Sequence, residues 1–246
     1  MITEFQIQNF IQDGFVKIDN AFSKDIASEC CDILWSLTGC LPNNPTTWKN
    51  PVVRIGELTD PSFVEAANTP TLLSAYDQLV GVGNWVAKNS VGSFPIRFPS
   101  TTTANDTGWH VDASFPGEDL NDYMSWRINV HSKGRGLLML FLFSDVGEND
   151  APTLLKVGSH KSVSRLLAPH QERGLAFLEL AEKLQIIPDN NIVTATGKAG
   201  TVYLCHPFVV HAAQNHKGVQ PKFMAQPALM TKNDLSINKE VALMCP

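Results

Sequence analysis

The sequence predicts a mostly β domain with a helical buttress, and three observations carry that expectation. Nine short β-rich segments follow one another from Phe94 onward. Clusters of Gly, Pro, Asn and Asp separate them, and the stretch before them reads as helices. Short strands in succession behind a helical lead-in point to a jelly-roll barrel, the cupin-like double-stranded β-helix, buttressed by helices. The mouth of such a barrel is where an apolar cavity can hold a metal.

Along the chain, residues 3 to 13 read as a short helix. Thr3 and Gln6 are spaced as a capping box and Gly14 is a stop. Phe15 to Ile18 alternates like a strand. Ser23 caps a second helix running to Leu37, with Ile26, Cys30, Ile33, Leu34 and Leu37 as its apolar stripe and Gly39 at its end. Pro42 to Pro51 reads as a loop with Trp48 packed, and Thr71 to Val80 as a helix closed by Gly81. The nine strand candidates are Phe94 to Phe98, Trp109 to Ala113, Trp126 to His131, Leu137 to Phe143, Thr153 to Val157, Asn191 to Ala195, Thr201 to Cys205, Phe208 to Ala212 and Lys222 to Met230. One helix, about Gln171 to Leu184, interrupts them. Nothing marks a linker, so residues 1–246 are expected to form one domain. In it a helical part, 1–90, packs on a jelly-roll core, 91–232.

Composition narrows the function classes. The chain has 246 residues and a formal charge of −5, with both signs interspersed. It lacks the basic stripe that nucleic acid or an anionic membrane would require. The longest strongly apolar run, Leu137 to Phe143, is far too short to span a bilayer, and the N-terminus lacks the basic and apolar regions of a signal peptide. Cys30, Cys31, Cys40, Cys205 and Cys245 are odd in number and form no CxxC motif. Reduced thiols in a soluble cytoplasmic protein are the expectation. No heptad or exposed apolar stripe indicates an oligomeric state.

The chemistry concentrates in three residues. His110 and Asp112 stand one residue apart in Trp-His-Val-Asp, and His211 follows about a hundred positions on. Residues i and i+2 of a strand share a face, so His110 and Asp112 can grip one metal while Val111 points away. His211 lies in the strand-like run Thr201 to Ala213 and supplies the distant third ligand. Two imidazoles and one carboxylate are the facial triad of non-haem Fe(II), which leaves positions open for substrate and oxygen. Zn(II) accepts the same donors, but no HExxH helix or general-base motif accompanies them.

These residues also resemble a known family, the phytanoyl-CoA dioxygenases among the Fe(II)/2-oxoglutarate-dependent oxygenases. The resemblance rests on Gly108-Trp109-His110-Val111-Asp112, on Asn149 to His160 ending in Val-Gly-Ser-His, and on Gly200 to Pro227 around His211. It covers roughly residues 90 to 230. It implies that His110, Asp112 and His211 bind iron. It also implies that a basic residue eleven positions after the distal His, here Lys222, binds the far carboxylate of 2-oxoglutarate. That position most often holds Arg, and Lys offers a point charge without a bidentate fork. Val157 stands where relatives often have Pro. The implied reaction is oxidative decarboxylation of 2-oxoglutarate with O2 to succinate and CO2, coupled to oxidation of an unactivated C–H; ascorbate supports such reactions. Related halogenases lack the carboxylate ligand, so the presence of Asp112 favours hydroxylation or an oxidative variant of it.

Around this set, Thr153 is placed to hydrogen-bond the same far carboxylate. Arg97, Arg127 and Arg135 are candidates for the C1 carboxylate or for an anionic substrate. His206, five residues before His211, reads as structural or as a neighbour of the metal ligands, and His160 as a turn residue that supports them. The loops Phe115 to Ser125 and Asp145 to Ala151, with the N-terminal helices, are expected to shape a pocket for a small metabolite. Two other readings stand beside this one: a cupin-type metalloenzyme that does not use 2-oxoglutarate, and a non-catalytic barrel that binds a small ligand.

Overall fold

A computed structural model describes residues 1–188 and 191–233. The N-terminal part follows its local signals. Helix α1 (Glu4–Asp13) opens with a Thr3–Gln6 capping box and ends at Gly14, whose φ of 90° is cheap only for glycine. Strand β1 (Phe15–Ile18) leads to α2 (Lys24–Thr38), where the Ser23 side chain accepts from the Ile26 amide and Gly39 takes the left-handed stop. Then come β2 (Val52–Ile55), α3 (Pro61–Ala67), α4 (Pro70–Val80) and β3 (Phe94–Arg97). Thr69 caps α4, and Pro61 and Pro70 take the first helical positions, where a missing N–H costs nothing.

The remaining elements are β4 (Arg127–Ile128), β5 (Arg135–Leu142), β6 (Leu154–Lys156), α5 (Ser159–Leu167), β7 (Leu175–Ala176) and α6 (Phe177–Lys183). After them come β8 (Ile192–Thr194), β9 (Val202–Cys205), β10 (His211–Ala212), β11 (Met224–Ala225) and β12 (Ala228–Met230). The main sheet is antiparallel in the order β1-β9-β5-β11, with β12 also on β5. Backbone bonds between Arg97 and Lys222, and from the Gln226 amide to the Ser93 carbonyl, extend it to β3, which carries β2. A second sheet runs β10-β6-β8, and His110 pairs with β10 through a single bridge. Among the described residues these ladders do not join into a closed barrel.

Period-two alternation sorts the side chains into layers. On the main sheet, Leu137, Met139, Phe141, Val202, Leu204, Phe94, Ile96 and Phe223 pack against α1 to α4. Their neighbours Leu138, Leu140, Leu142, Tyr203, Cys205 and Met224 face Leu155 and Ala195 of the second sheet's side. A third core, with Val111, Val163, Leu167, Leu180, Phe208 and Val210, lies under α5 and α6. Each buried Leu, Val or Phe contributes about 1.5–3 kcal/mol. A one-residue slip of β5 would exchange its two faces, so the pattern fixes the register.

Several elements depart from the sequence expectation. Trp109 to Ala113 makes one bridge rather than a strand, and Phe208 to Ala212 contracts to β10. Val157-Gly-Ser-His opens α5: Gly158 is its left-handed N-cap, and Ser159 and His160 are its first residues. The helix expected over Gln171 to Leu184 divides into a 3-10 turn (Ala168–Arg173), β7 and α6. Helix α3 and strand β2 were not anticipated. The strand expected over Phe15 to Ile18 does form, as β1, and it is an edge strand of the main sheet. Cys30, Cys31, Cys40 and Cys205 are free, and Cys245 lies outside the described residues. No described helix is long and apolar enough to cross a membrane.

Candidate metal centre

Val111 sends its side chain into the core beneath α5 and α6, which leaves His110 and Asp112 on the opposite face. His211 sits across from His110. The two exchange backbone hydrogen bonds of 3.0 and 2.9 Å, and their rings lie 4.3 Å apart. On His110, Nδ1 is 2.9 Å from the Gly108 carbonyl oxygen, and on His211 it is 3.0 Å from that of Val209. A carbonyl only accepts, so each Nδ1 carries a proton, which leaves Nε2 as the ring atom that can ligate a metal. Those two nitrogens lie 3.8 and 3.7 Å from Asp112 Oδ1. Donors bound about 2.1 Å from one ion in adjacent positions stand about 3 Å apart, so the three are a short contraction from a shared metal.

The electrostatics suit a cation. Burial, with the neighbouring His211, pushes the His110 imidazole down to about 4 despite Asp112, so it is neutral and able to ligate at neutral pH. Burial would raise the Asp112 carboxyl. The imidazole of His211 and the guanidinium of Arg135 outweigh it and hold Asp112 well below the usual carboxylate range. Arg135 Nη1 is 3.2 Å from Asp112 Oδ2 and orients the carboxylate through the oxygen that does not face the histidines.

The triad lines a cavity of about 750 Å³. Alternate residues of adjacent segments form one wall: Ser93 just before β3, Pro95 and Arg97 on it, and Lys222, Met224 and Gln226 beside it. Lys222 is 1% exposed. Its ammonium donates to the carbonyl of Ala151, a non-glycine residue in left-handed backbone (φ 52°). Among the described residues it has no ion-pair partner, because the nearby Asp106 takes both Arg97 (2.8 Å) and Arg54 on the same oxygen. Burial, then the proximity of Arg97, holds the Lys222 ammonium down to about 7, with Asp106 opposing. Thr153 lines the same cavity, and among the described residues its hydroxyl meets only the weak acceptor Met224 Sδ at 3.7 Å.

The other candidates divide. Arg97 and Arg135 face the cavity but are engaged by Asp106 and Asp112. Arg127 lies outside it, donating to the carbonyls of Arg173 and Gly174 and pairing with Glu179. The His206 and His160 rings do not line the cavity; they lie 5.1 Å apart and tilted by 40°, with His160 Nε2 3.2 Å from the Ile11 carbonyl oxygen. No residue of α1 to α4 lines the cavity, because those helices pack behind the main sheet. Instead, Arg54 of β2 and Phe177 and Ala181 of α6 contribute, along with Tyr123 and Met124 of the expected loop. The Phe177 ring stands 5.7 Å from both His110 and Tyr123, forming an aromatic wall over the triad. Asp106 and Gln226 were missed as site residues. Gln226 carried a readable signal, since it shares the strand face of Lys222 four positions away.

Comparison with known proteins agrees with this geometry. The family model for phytanoyl-CoA dioxygenase (PhyH) matches residues 10–224. None of the curated proteins compared matches the sequence. Among solved structures, HygX from Streptomyces hygroscopicus with nickel and 2-oxoglutarate bound shares 16% identity, with 96% of this chain and 88% of that one covered and a TM-score of 0.60. EctD from S. alaskensis with 2-oxoglutarate and 5-hydroxyectoine shares 19% identity, with coverages of 94% and 76% and a TM-score of 0.58. The epimerase SnoN in complex with Fe3+, alpha ketoglutarate and nogalamycin RO shares 16%, with coverages of 92% and 82% and a TM-score of 0.59. At these identities the likeness is one of fold, whereas the family match spans most of the sequence: the chain belongs to the phytanoyl-CoA dioxygenase family.

Proposed function

We propose that this protein is a non-haem Fe(II)- and 2-oxoglutarate-dependent dioxygenase that hydroxylates an unactivated C–H of a small metabolite, releasing succinate and CO2. One observation carries the reading. Two imidazoles and a carboxylate converge in a cavity whose wall also holds a buried lysine with no ion-pair partner among the described residues. Burying an ammonium without a counter-ion is expensive, and an anionic ligand that enters the cavity compensates it.

In this reading His110, Asp112 and His211 hold Fe(II), which when bound supplies the redox chemistry with O2 and the 2-oxo acid. Lys222 binds the far carboxylate of 2-oxoglutarate, with a hydrogen bond from Thr153. Arg97 adds positive potential from the facing strand, tempered by Asp106. Arg135 keeps Asp112 ionised and oriented. Phe177 and Tyr123 wall the cavity and limit water. The two sheets are the halves of a double-stranded β-helix, with 1–90 as its helical support and 91–232 as its jelly-roll core. Free cysteines and the absence of a described membrane-crossing helix support a cytoplasmic protein acting on a soluble substrate. Ascorbate is expected to sustain turnover.

Lys222→Ala tests the co-substrate assignment. Titration of the Fe(II)-loaded variant with 2-oxoglutarate should show its affinity reduced at least about a hundredfold, the scale of a buried charge-assisted contact of about 3 kcal/mol. Affinity equal to the wild type would return the protein to a metalloenzyme that does not use the oxo acid.

A further inference from the structure

Gln226 has no role in the site as described so far, yet its side-chain amide reaches the metal face. Its Nε2 is 3.1 Å from Nε2 of His211, the nitrogen that lies 3.7 Å from Asp112 Oδ1. Its main chain is held in the short connection between β11 and β12. The Gln226 backbone N–H donates to the Ser93 carbonyl at 2.9 Å, and the carbonyl of the next residue, Pro227, accepts from Met139 at 3.0 Å. Lys222, Met224 and Gln226 all line one cavity, so a single stretch of chain presents a cation at one end and an amide beside the triad at the other. The guanidinium groups facing this cavity are already engaged: Arg97 and Arg54 by Asp106, and Arg135 by Asp112.

We infer that Gln226 is the residue that receives the chelating, 2-oxo-acid end of 2-oxoglutarate, its amide N–H donating to the C1 carboxylate while Lys222 holds the far one. The inference rests on the oxygenase reading and deepens it. Metal binding claims the His211 Nε2 lone pair, which frees the amide N–H that now points at it. A carboxylate bound next to His211 is then the acceptor within its reach, and N–H donors to a carboxylate make the stronger class of hydrogen bond.

Fe(II)-loaded wild type, Gln226→Ala and Gln226→Glu are titrated with 2-oxoglutarate under argon. The visible charge-transfer band of the complex is followed, and Fe(II) affinity is measured in parallel. Gln226→Ala should weaken 2-oxoglutarate binding about tenfold and shift the band, with Fe(II) affinity held within about twofold. Gln226→Glu, the same size but an acceptor facing an acceptor, should bind more weakly than Gln226→Ala. An unchanged 2-oxoglutarate affinity in Gln226→Ala overturns the inference. So does a parallel loss of Fe(II) affinity, which would make Gln226 a support for His211, and so does recovery of binding in Gln226→Glu, which would make its role one of shape. A wild type that binds Fe(II) but no 2-oxoglutarate defeats the oxygenase reading itself and this inference with it, whereas loss confined to other positions leaves that reading standing and defeats only the assignment of Gln226.

Discussion

Arg97 and Lys222 face each other across two antiparallel segments, exchanging backbone hydrogen bonds of 3.1 and 2.8 Å, and both buried cations open on the cavity of the His110–Asp112–His211 triad. Among the described residues, only Arg97 of the two has a counter-ion, Asp106. The arrangement stores an uncompensated charge where an anion is to bind, so function and stability pull in opposite directions.

Lys222→Met should therefore stabilise the protein. Burial holds the folded-state ammonium down to about 7, while in the unfolded chain it titrates near 10.4. Between those values the unfolded state carries the extra proton, so stability rises with pH through that window and is lowest below it. The shift corresponds to a few kcal/mol at neutral pH, and leaving the Ala151 carbonyl without its donor returns about 1–3 kcal/mol of that. A net gain of about 1–3 kcal/mol at pH 6, shrinking toward pH 10, is expected in denaturant unfolding. A loss at pH 6 would show that the charge is compensated in the folded protein.

The same titration governs co-substrate affinity. Lys222 is charged below about 7 in the free protein, so 2-oxoglutarate binding to the metal-loaded protein should weaken as pH rises from about 7 to 9. Calorimetry in buffers of different ionisation enthalpy should register proton uptake on binding at pH 8. In Lys222→Arg, whose guanidinium stays charged, the pH dependence should disappear.

Asp106 offers a third test. One of its oxygens takes both Arg97 and Arg54. Asp106→Asn leaves the buried Arg97 unpaired beside Lys222, and a loss of about 3 kcal/mol in stability is expected. Because Asp106 also raises the Lys222 ammonium, the variant should bind 2-oxoglutarate more weakly at pH 8 than at pH 6.5 by a larger factor than the wild type does. A variant as stable as the wild type would show that solvent, and not Asp106, compensates Arg97.

Gly14 supports the site from behind. Its φ is 90°, and an added Cβ would stand 2.5 Å from His160 Nδ1 and 2.7 Å from Val209 Cγ2. Val209 supplies the carbonyl that fixes the His211 ring. Gly14→Ala should cost about 2 kcal/mol or more in thermal unfolding and weaken metal binding with it. Destabilisation with metal affinity untouched would confine Gly14 to capping α1.

What the sequence made legible was local. Thr3, Gln6 and Gly14 announced α1, Ser23 and Gly39 announced α2, and the i, i+2 spacing of His110 and Asp112 placed both on one face. What it hid was tertiary. Helix α3 has seven residues, too few to show a helical period. Helix α5 starts on Gly158 without a side-chain cap, so Val-Gly-Ser-His read as a turn. Asp106 lies in a polar loop that looks like any other, and its meaning comes only from Arg54 and Arg97, which two different strands bring to it. The N-terminal helices were expected at the pocket, but the alternation of β5 and β9 buries them against the far face of the main sheet.

The most direct measurement is succinate formation by purified protein supplied with Fe(II), O2, ascorbate and 2-oxoglutarate, compared with Asp112→Ala. Succinate that depends on Fe(II) and is lost at least about a hundredfold in Asp112→Ala is the expected result, even without the native substrate. Absence of succinate from the iron-loaded wild type, together with no 2-oxoglutarate charge-transfer band, would contradict the oxygenase assignment.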